Sequence, residues 1–394
     1  MKICLIIDDY MPNSIKIAAK MMHELAIEFI QNGHEVSVIT PDIKINEKIK
    51  IDNLDGVKIY RFKSGEIKNV SKVKRAINET LLSFNAWNAC KEILKDDKHD
   101  IIIYYSPSIF FGSLVRKLKK LWAVPSYLIL RDIFPQWAID NHILKENSLI
   151  TKYFKYYESI NYKNADKIGL MSEENLSWFN KKHNNKYKTE LLYNWALDIP
   201  LKEISKDYRK ELSLEDKIIY FYGGNMGHAQ DMLNLLRLAK NMMIYTQSHF
   251  LFVGAGDEVE IMKDFIKKEN IKNTTILPAV NQKEFLNILS QIDVGLFSLN
   301  FNHKTHNFPG KLLGYMCESK PILGSINPGN DLKSVVEESS AGLISINGED
   351  ETLFENAKYF LDNQKRTEIG NNANILLKNK FSVQSAVKKI LNNL

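Results

Sequence analysis

The chain has 394 residues, 44% of them hydrophobic, and carries 53 Lys and Arg against 47 Asp and Glu, a formal net charge of +6. That length predicts two domains of roughly 200 residues each, and a modest basic excess without a recognition motif excludes a nucleic-acid binder. Three widely spaced cysteines, Cys4, Cys90 and Cys317, argue for reduced thiols in a cytosolic protein rather than a disulfide framework or a zinc site, and no metal or cofactor is called for.

Neither a signal peptide nor a membrane span is expected: MKICLIIDDYMP is too short in apolar residues for the first, and no run approaches the roughly 18 needed for the second. Residues 2–7 read as a buried strand, 15–31 as a helix closed by Gly33 and 35–40 as the next strand, which is a βαβ unit. At the end of the first strand lie Asp8, Asp9, Tyr10, Asn13 and Ser14, with Lys16, Lys20 and His23 following. Adjacent Asp8 and Asp9 point to opposite sides of an extended segment, so they do not make an acid–base pair. Runs at 57–62, 101–105, 126–130, 167–171 and 189–193 complete one parallel sheet covered by helices on both faces.

The charge excess lies in this first half: residues 1–200 hold 30 Lys and Arg against 24 Asp and Glu, while the rest hold 23 of each. Lys72, Lys74 and Arg75 form one cluster, and Arg116, Lys117, Lys119 and Lys120 form another among Phe110, Phe111, Leu114, Leu118, Leu121 and Trp122. The second cluster suits either an anionic membrane surface or an ordinary helix with one buried face. After the strand at 126–130 comes Arg131-Asp132-Ile133-Phe134-Pro135-Gln136-Trp137. Asp132 is the best carboxylate in this half for binding a hydroxyl or taking its proton; a local ion pair with Arg131 is the alternative.

The proline-ended segment 194–200 reads as a linker, and strands resume at 217–222, 248–253, 274–277, 294–298, 321–324 and 342–346. The first of these runs into Gly223-Gly224-Asn225-Met226-Gly227, whose glycines either let a phosphate approach the backbone closely or only make a tight strand-to-helix turn, with a helix from about Gln230. Its spacing is not the dinucleotide fingerprint, and the absence of Gly-Lys-Ser/Thr excludes a P-loop. Gly254, Gly256, Asp257 and Glu258 end the next strand, and Leu277, Pro278 and Val280 offer backbone groups to a base. Residues 307–331 are the densest stretch. Pro309 and Gly310 open a helix at 311–318 that carries Lys311, and the strand at 321–324 leads into a loop at 325–331 that includes Asn327. Either the first turn and Lys311 face an anion, or Pro-Gly only starts a helix. All four loops lie at carboxyl ends of strands, where ligands of open α/β sheets bind.

Taken together, PNSIKIAAKM, Gly33-His34-Glu35-Val36, LRDIFPQW, YNWA, GGNMGHAQ, GAGDE and FPGK…KPIL resemble a GT-B glycosyltransferase of the large family 4 group. The pairing of LRDIFPQW with FPGKLLGYM…SINPGND is similar to the branch that adds N-acetyl-L-fucosamine or a related N-acetylated deoxy-sugar in O-antigen or capsule assembly. The resemblance implies an α/β protein of GT-B fold, two Rossmann-like parallel-sheet domains facing across a cleft. Residues 1–198 would bind the acceptor and 199–376 the donor, with a helix at 377–394 returning to the first domain. It implies a retaining, metal-independent transfer from a UDP-sugar to a polyprenyl-diphosphate-linked acceptor, performed in the cytoplasm against the inner membrane.

The donor site would comprise Gly223, Gly224, Asn225, Gly227, Gln230, Gly254, Gly256 and Asp257, with Leu277, Pro278 and Asn327 and the stretch His306, Asn307, Phe308, Pro309, Gly310 and Lys311. The acceptor would meet Asp9, Asn13, Ser14, Lys16, Lys20, Arg131 and Asp132, and Lys311 and Asp132 would be catalytic. Two departures stand out. Asn225 and Gln230 occupy the places of a pyrophosphate-binding Arg and Lys, and His306 and Gly314 those of a paired Glu. An inactive nucleotide-sugar-binding scaffold and a UDP-sugar epimerase of the same fold are the alternatives.

Overall fold

The computed structural model describes every residue except 15, 68–69, 107, 141, 202, 303–307 and 393–394. It forms two compact units, Met1–Tyr193 together with Val383–Leu394, and Asn194–Ser382. The divisions fall at 193/194 and 382/383, where the sequence suggested 198/199 and 376/377.

The first unit holds β1 (Lys2–Ile6), β2 (Glu35–Asp42), β3 (Ile49–Leu54), β4 (Val57–Lys63), β5 (Ile101–Ser106), β6 (Ser126–Leu130), β7 (Lys167–Leu170) and β8 (Thr189–Leu191). Their order is β3-β4-β2-β1-β5-β6-β7-β8. Every pairing is parallel except β3 with β4, which corrects the expectation of a wholly parallel sheet. Asp55 and Gly56 close that hairpin with φ of 50° and 84°, and a two-residue loop with both φ positive matches the twist of the strands it joins. Leu82, Ala86 and Cys90 of the Lys72–Asp96 helix pack with Leu114, Leu118 and Trp122 of the Gly112–Trp122 helix in one core.

The apolar side of residues 110–122 is therefore spent inside the protein, which favours the ordinary helix with one buried face over a membrane surface for that segment. Phe111, Leu114 and Leu118 are fully buried, Lys119 pairs with Asp166 at 2.5 Å, and Lys117 lies over the Trp87 ring. On another face, the Val383–Leu391 helix packs on the Ile17–Gln31 helix, with Gln384 donating to Glu28 at 2.8 Å.

The second unit holds β9 (Ile218–Asn225), β10 (Ser248–Ala255), β11 (Thr274–Leu277), β12 (Val294–Ser298), β13 (Ile322–Ile326) and β14 (Gly342–Ile346), all parallel, in the order β11-β10-β9-β12-β13-β14. The chain winds outward from β9 through β11, then returns to the other side of β9 at β12. Such a reversal opens a crevice at the carboxyl ends of the strands. Gly223, Gly224 and Asn225 belong to β9, paired with Val253, Gly254 and Ala255, so of the two alternatives the tight turn does not hold for them. Helix follows only at Met232, after a single turn at His228–Gln230 and a left-handed Asp231. Ser325 and Ile326 likewise extend β13, so its loop starts at Asn327.

Candidate active site

The helix Lys311–Cys317 buries Leu312, Leu313, Tyr315 and Met316, and Tyr315 ties it to β9 and β12. The buried Tyr315 hydroxyl donates toward Leu296 O at 2.9 Å and lies 3.3 Å from Phe221 O, so it spans the two central strands. Gly295 makes room for it, since a Cβ there would stand 2.3 Å from the Tyr315 ring. This places Lys311 at the carboxyl end of β9. Its Nζ sits 3.4 Å from the centre of the Tyr222 ring and 3.8 Å from the position a Gly224 Cβ would take.

Burial pushes the Lys311 ammonium down to about 7. The ring face of Tyr222 favours the cation, but it replaces only part of the lost hydration. No carboxylate among the described residues pairs with Lys311. An arriving anion would restore full charge to the amine. Because the helix has only two turns, Lys311 rather than the helix dipole is the main positive element here.

Beside it lies a cavity of about 270 Å³, lined by Gly224, Asn225, Val253, Gly254, Ala255, Ala279, Val280 and Phe285. A drug-sized ligand occupies roughly 300 Å³ or more, so this space suits one planar ring of a larger ligand. A bigger depression, about 510 Å³, lies at the opposite ends of the strands among Arg209, Asp293 and Lys320. There Arg209 and Asp293 pair at 2.6 Å, so their charges serve each other.

The glycines of this unit divide by cause. A Cβ on Gly254 would stand 1.8 Å from Gly224 O, and one on Gly256 2.1 Å from Met226 O, so close backbone approach requires both, within the paired strands for the first and just beyond their ends for the second. Gly310 has nothing within 4 Å of such an atom, and the space beside it is open to a ligand. Asn225 and Gln230 hold one another, Nδ2 to Oε1 at 2.8 Å, and Gln230 also accepts from the Gly227 amide at 3.3 Å. The neutral pair thus shapes the loop. Asp257 lies beside Gly227, while Glu258 accepts from the Met232 amide at the start of the next helix.

Leu277 ends β11, and Pro278 is exposed beyond it. Phe308 packs on Phe381 at 4.5 Å, and Pro309 O accepts from the Leu312 amide. Asn327 is buried, its oxygen accepting from Asn330 Nδ2 at 3.0 Å, so it shapes its loop rather than facing a ligand. At Gly314 a Cβ would meet Leu289 at 3.1 Å. His306 and Asn307 lie outside the described residues.

In the first unit the strands reverse at β1 and β5. Arg131 is a correction: its guanidinium is buried and donates to Leu192 O at 2.7 Å and Tyr193 O at 3.0 Å, so it holds the sheet edge instead of an acceptor. Burial also lowers it to about 10. Asp132, its neighbour, points elsewhere. Surrounding protein raises its carboxyl above the ordinary range although the residue keeps an exposed surface, and no cation among the described residues offsets the shift.

Asp132 and Asp8 both press on Tyr105, whose phenol burial pushes up to about 12. Asp9 pairs with Lys16 at 3.5 Å, Asn13 donates to Asp42 at 2.9 Å, Ser14 accepts from the Lys16 amide at 3.2 Å, and Lys20 approaches Glu24 at 3.6 Å. Five of the expected acceptor residues, Asp9, Asn13, Ser14, Lys16 and Lys20, are thereby engaged locally. Sequence reasoning missed Tyr222, Phe285 and Tyr105; each ends or faces a strand whose glycines and carboxylates drew attention first.

Residues 204–375 match the family model described as glycosyl transferases group 1. The chain is 22% identical over 221 residues to probable glycosyltransferase WbjE of Pseudomonas aeruginosa, covering 55% of this chain and 54% of that protein. It is 24% identical over 305 residues to an uncharacterized glycosyltransferase of Methanocaldococcus jannaschii, covering 75% and 73%. Among solved structures, HepE of Anabaena in complex with UDP and glucose superposes with a TM-score of 0.63 at 13% identity, over 100% of this chain and 99% of that one. The two parallel-sheet α/β units therefore make up a GT-B fold, and the second of them is the part similar to group 1 glycosyl transferases.

Proposed function

We propose that the protein is a glycosyltransferase that takes a sugar from a UDP-sugar donor. The observation that carries this is the Lys311 ammonium at the end of β9, beside a ring-sized cavity and an open glycine. HepE, of the same fold, was solved with UDP and glucose bound. In this reading uracil occupies the cavity by Phe285 and the diphosphate reaches Lys311. As the bond between the anomeric carbon and the diphosphate oxygen breaks, negative charge grows on the leaving group, and an amine already stripped of water stabilises that charge more than the ground state. The acceptor hydroxyl forms the new bond to the anomeric carbon, and its proton passes to the raised carboxylate of Asp132.

The donor sugar is proposed to be an N-acetylated deoxyhexosamine such as N-acetyl-L-fucosamine, moved with retention and without a metal. The acceptor is a polyprenyl-diphosphate-linked saccharide of O-antigen or capsule assembly at the inner membrane. Thermal shift with a panel of UDP-sugars tests the donor, because a ligand that binds only the native state raises apparent stability. Label transferred to a polyprenyl-diphosphate sugar, unchanged by EDTA, is the expected result. Binding without transfer to any acceptor would leave a scaffold, and release of an epimer without acceptor would make the protein an epimerase.

A further inference from the structure

We infer that β3 pairs edge to edge with β3 of a second copy of this chain, joining two first units into one continuous sheet. β3 stands last in the sheet order, so one of its sides has no strand beside it. The direction of its backbone groups follows from its pairing with β4. Lys63 N donates to Lys48 O at 3.0 Å, and hydrogen-bonded pairs alternate along an antiparallel ladder, so Lys50, Asp52 and Leu54 also bond inward to β4. Ile49, Ile51 and Asn53 therefore turn their N–H and C=O groups outward, where no hydrogen bond from the described residues reaches them.

Other edges of the two sheets are closed or short. At β14 the Ile344 amide donates to Glu337 at 2.9 Å and Lys333 bonds Ile344 O; at β8 Lys389 donates to Leu191 O at 2.7 Å. The edge strand β11 has four residues. β3 has six and no such plug among the described residues. An exposed edge of that length is a template for a further strand.

Charge order selects the occupant and the register. Outward groups meet outward groups only when Ile49, Ile51 and Asn53 of one strand face the same set of the other. With Ile51 against Ile51 of the second copy, Ile49 faces Asn53 and Lys50 faces Asp52, so every outward group is matched and opposite charges are opposed. A slip of two residues sets Lys50 against Lys50 or Asp52 against Asp52, and directly opposed like charges are destabilising. A two-fold axis through Ile51 thus makes the strand its own complement. The faces agree as well. Ile51 lies opposite Tyr60 on the core side of the sheet and is 49% exposed, so its counterpart covers it. Lys50 already pairs with Asp52 of its own strand at 2.9 Å, while Arg61 donates to that carboxylate at 2.8 Å and holds it in place for a second lysine. The pairing goes beyond the transfer reaction and does not depend on it.

Sedimentation velocity of the 394-residue chain over a range of concentrations reads the pairing. A strand pair is a small interface, so a dimer half-formed on the order of 10 μM is expected. Ile51→Pro removes an outward donor and no bond to β4, and Lys50→Glu sets an acid against Asp52 of the second copy; each should weaken the dimer about tenfold or more. Both should keep the wild-type circular dichroism melt. Ile51→Cys should form a covalent dimer in a glutathione redox buffer, because opposed Cα atoms of a hydrogen-bonded pair are about 5.5 Å apart, whereas Lys50→Cys and the wild type should not. A wild type that stays monomeric up to about 200 μM overturns the inference and leaves the edge to an extended segment of another protein. So does a dimer indifferent to both substitutions, or cross-linking through position 50 in place of 51.

Discussion

Two cations that lose hydration in the fold, one in each unit, have opposite surroundings. Arg131 at the end of β6 is enclosed but gives its guanidinium to the carbonyls of Leu192 and Tyr193, and it remains a cation at any working pH. Lys311 at the end of β9 is half-buried, its amine against a ring face, and desolvation drives it to about 7. A buried charge is costly unless hydrogen-bonded. Where the fold itself supplies the acceptors the residue is architecture. Where it supplies only an aromatic face, the proposed function has the ligand bring the acceptor.

The largest effect that could break this contrast is on turnover. Lys311→Ala should lower kcat by about a hundredfold to a thousandfold, the usual loss on removing one stabiliser of developing charge, with no loss of melting temperature. Unaltered kinetics in a folded protein would remove Lys311 from the chemistry. Arg131→Met should do the reverse: it leaves two carbonyls without their donor and costs about 2–3 kcal/mol in urea denaturation, while donor affinity in the folded fraction is kept.

Next comes Gly254→Ala, whose methyl would press on Gly224 O; a destabilisation of about 1–3 kcal/mol is expected, as for other overpacked sites. A melt matching wild type would mean that β9 and β10 separate more readily than their pairing suggests. The smallest effect concerns pH. Since Lys311 loses its proton as pH rises through about 7, UDP affinity measured by calorimetry should fall about tenfold from pH 6 to pH 8. Lys311→Arg should flatten that profile, because a guanidinium stays charged across it.

The same contrast explains what could be read in advance. Alternation of apolar runs and helical spacing gave the strands on either side of both crevices, because buried parallel strands are near-continuous hydrophobic runs. The strand β3 escaped because IKIDNL is largely exposed and carries no such run, although Asp55-Gly56 beside it is a hairpin turn. Gly223-Gly224-Asn225 fell outside the expected strand because glycine usually ends one; the opposed Gly224 and Gly254 instead let two backbones come closer than side chains would permit. For residues 110–122 the helical pattern was legible and its destination was left open between two readings, since periodicity identifies an apolar face without saying what covers it. Arg131 and Asp132 are adjacent letters with unrelated fates, a difference set by which side of an extended segment each occupies.

The last helix of the first unit has a bearing on how the chain is made. Val383, Ala386, Val387 and Ile390 are buried, Gln384 reaches Glu28, and Lys389 caps Leu191 O at 2.7 Å, yet all are translated after the whole of residues 194–382. During synthesis the first unit must wait with the outer side of its Ile17–Gln31 helix uncovered until the second unit has left the ribosome. Completion of the earlier unit is thereby a late event, and a nascent chain halted before residue 383 would expose that bare helix to chaperones and proteases.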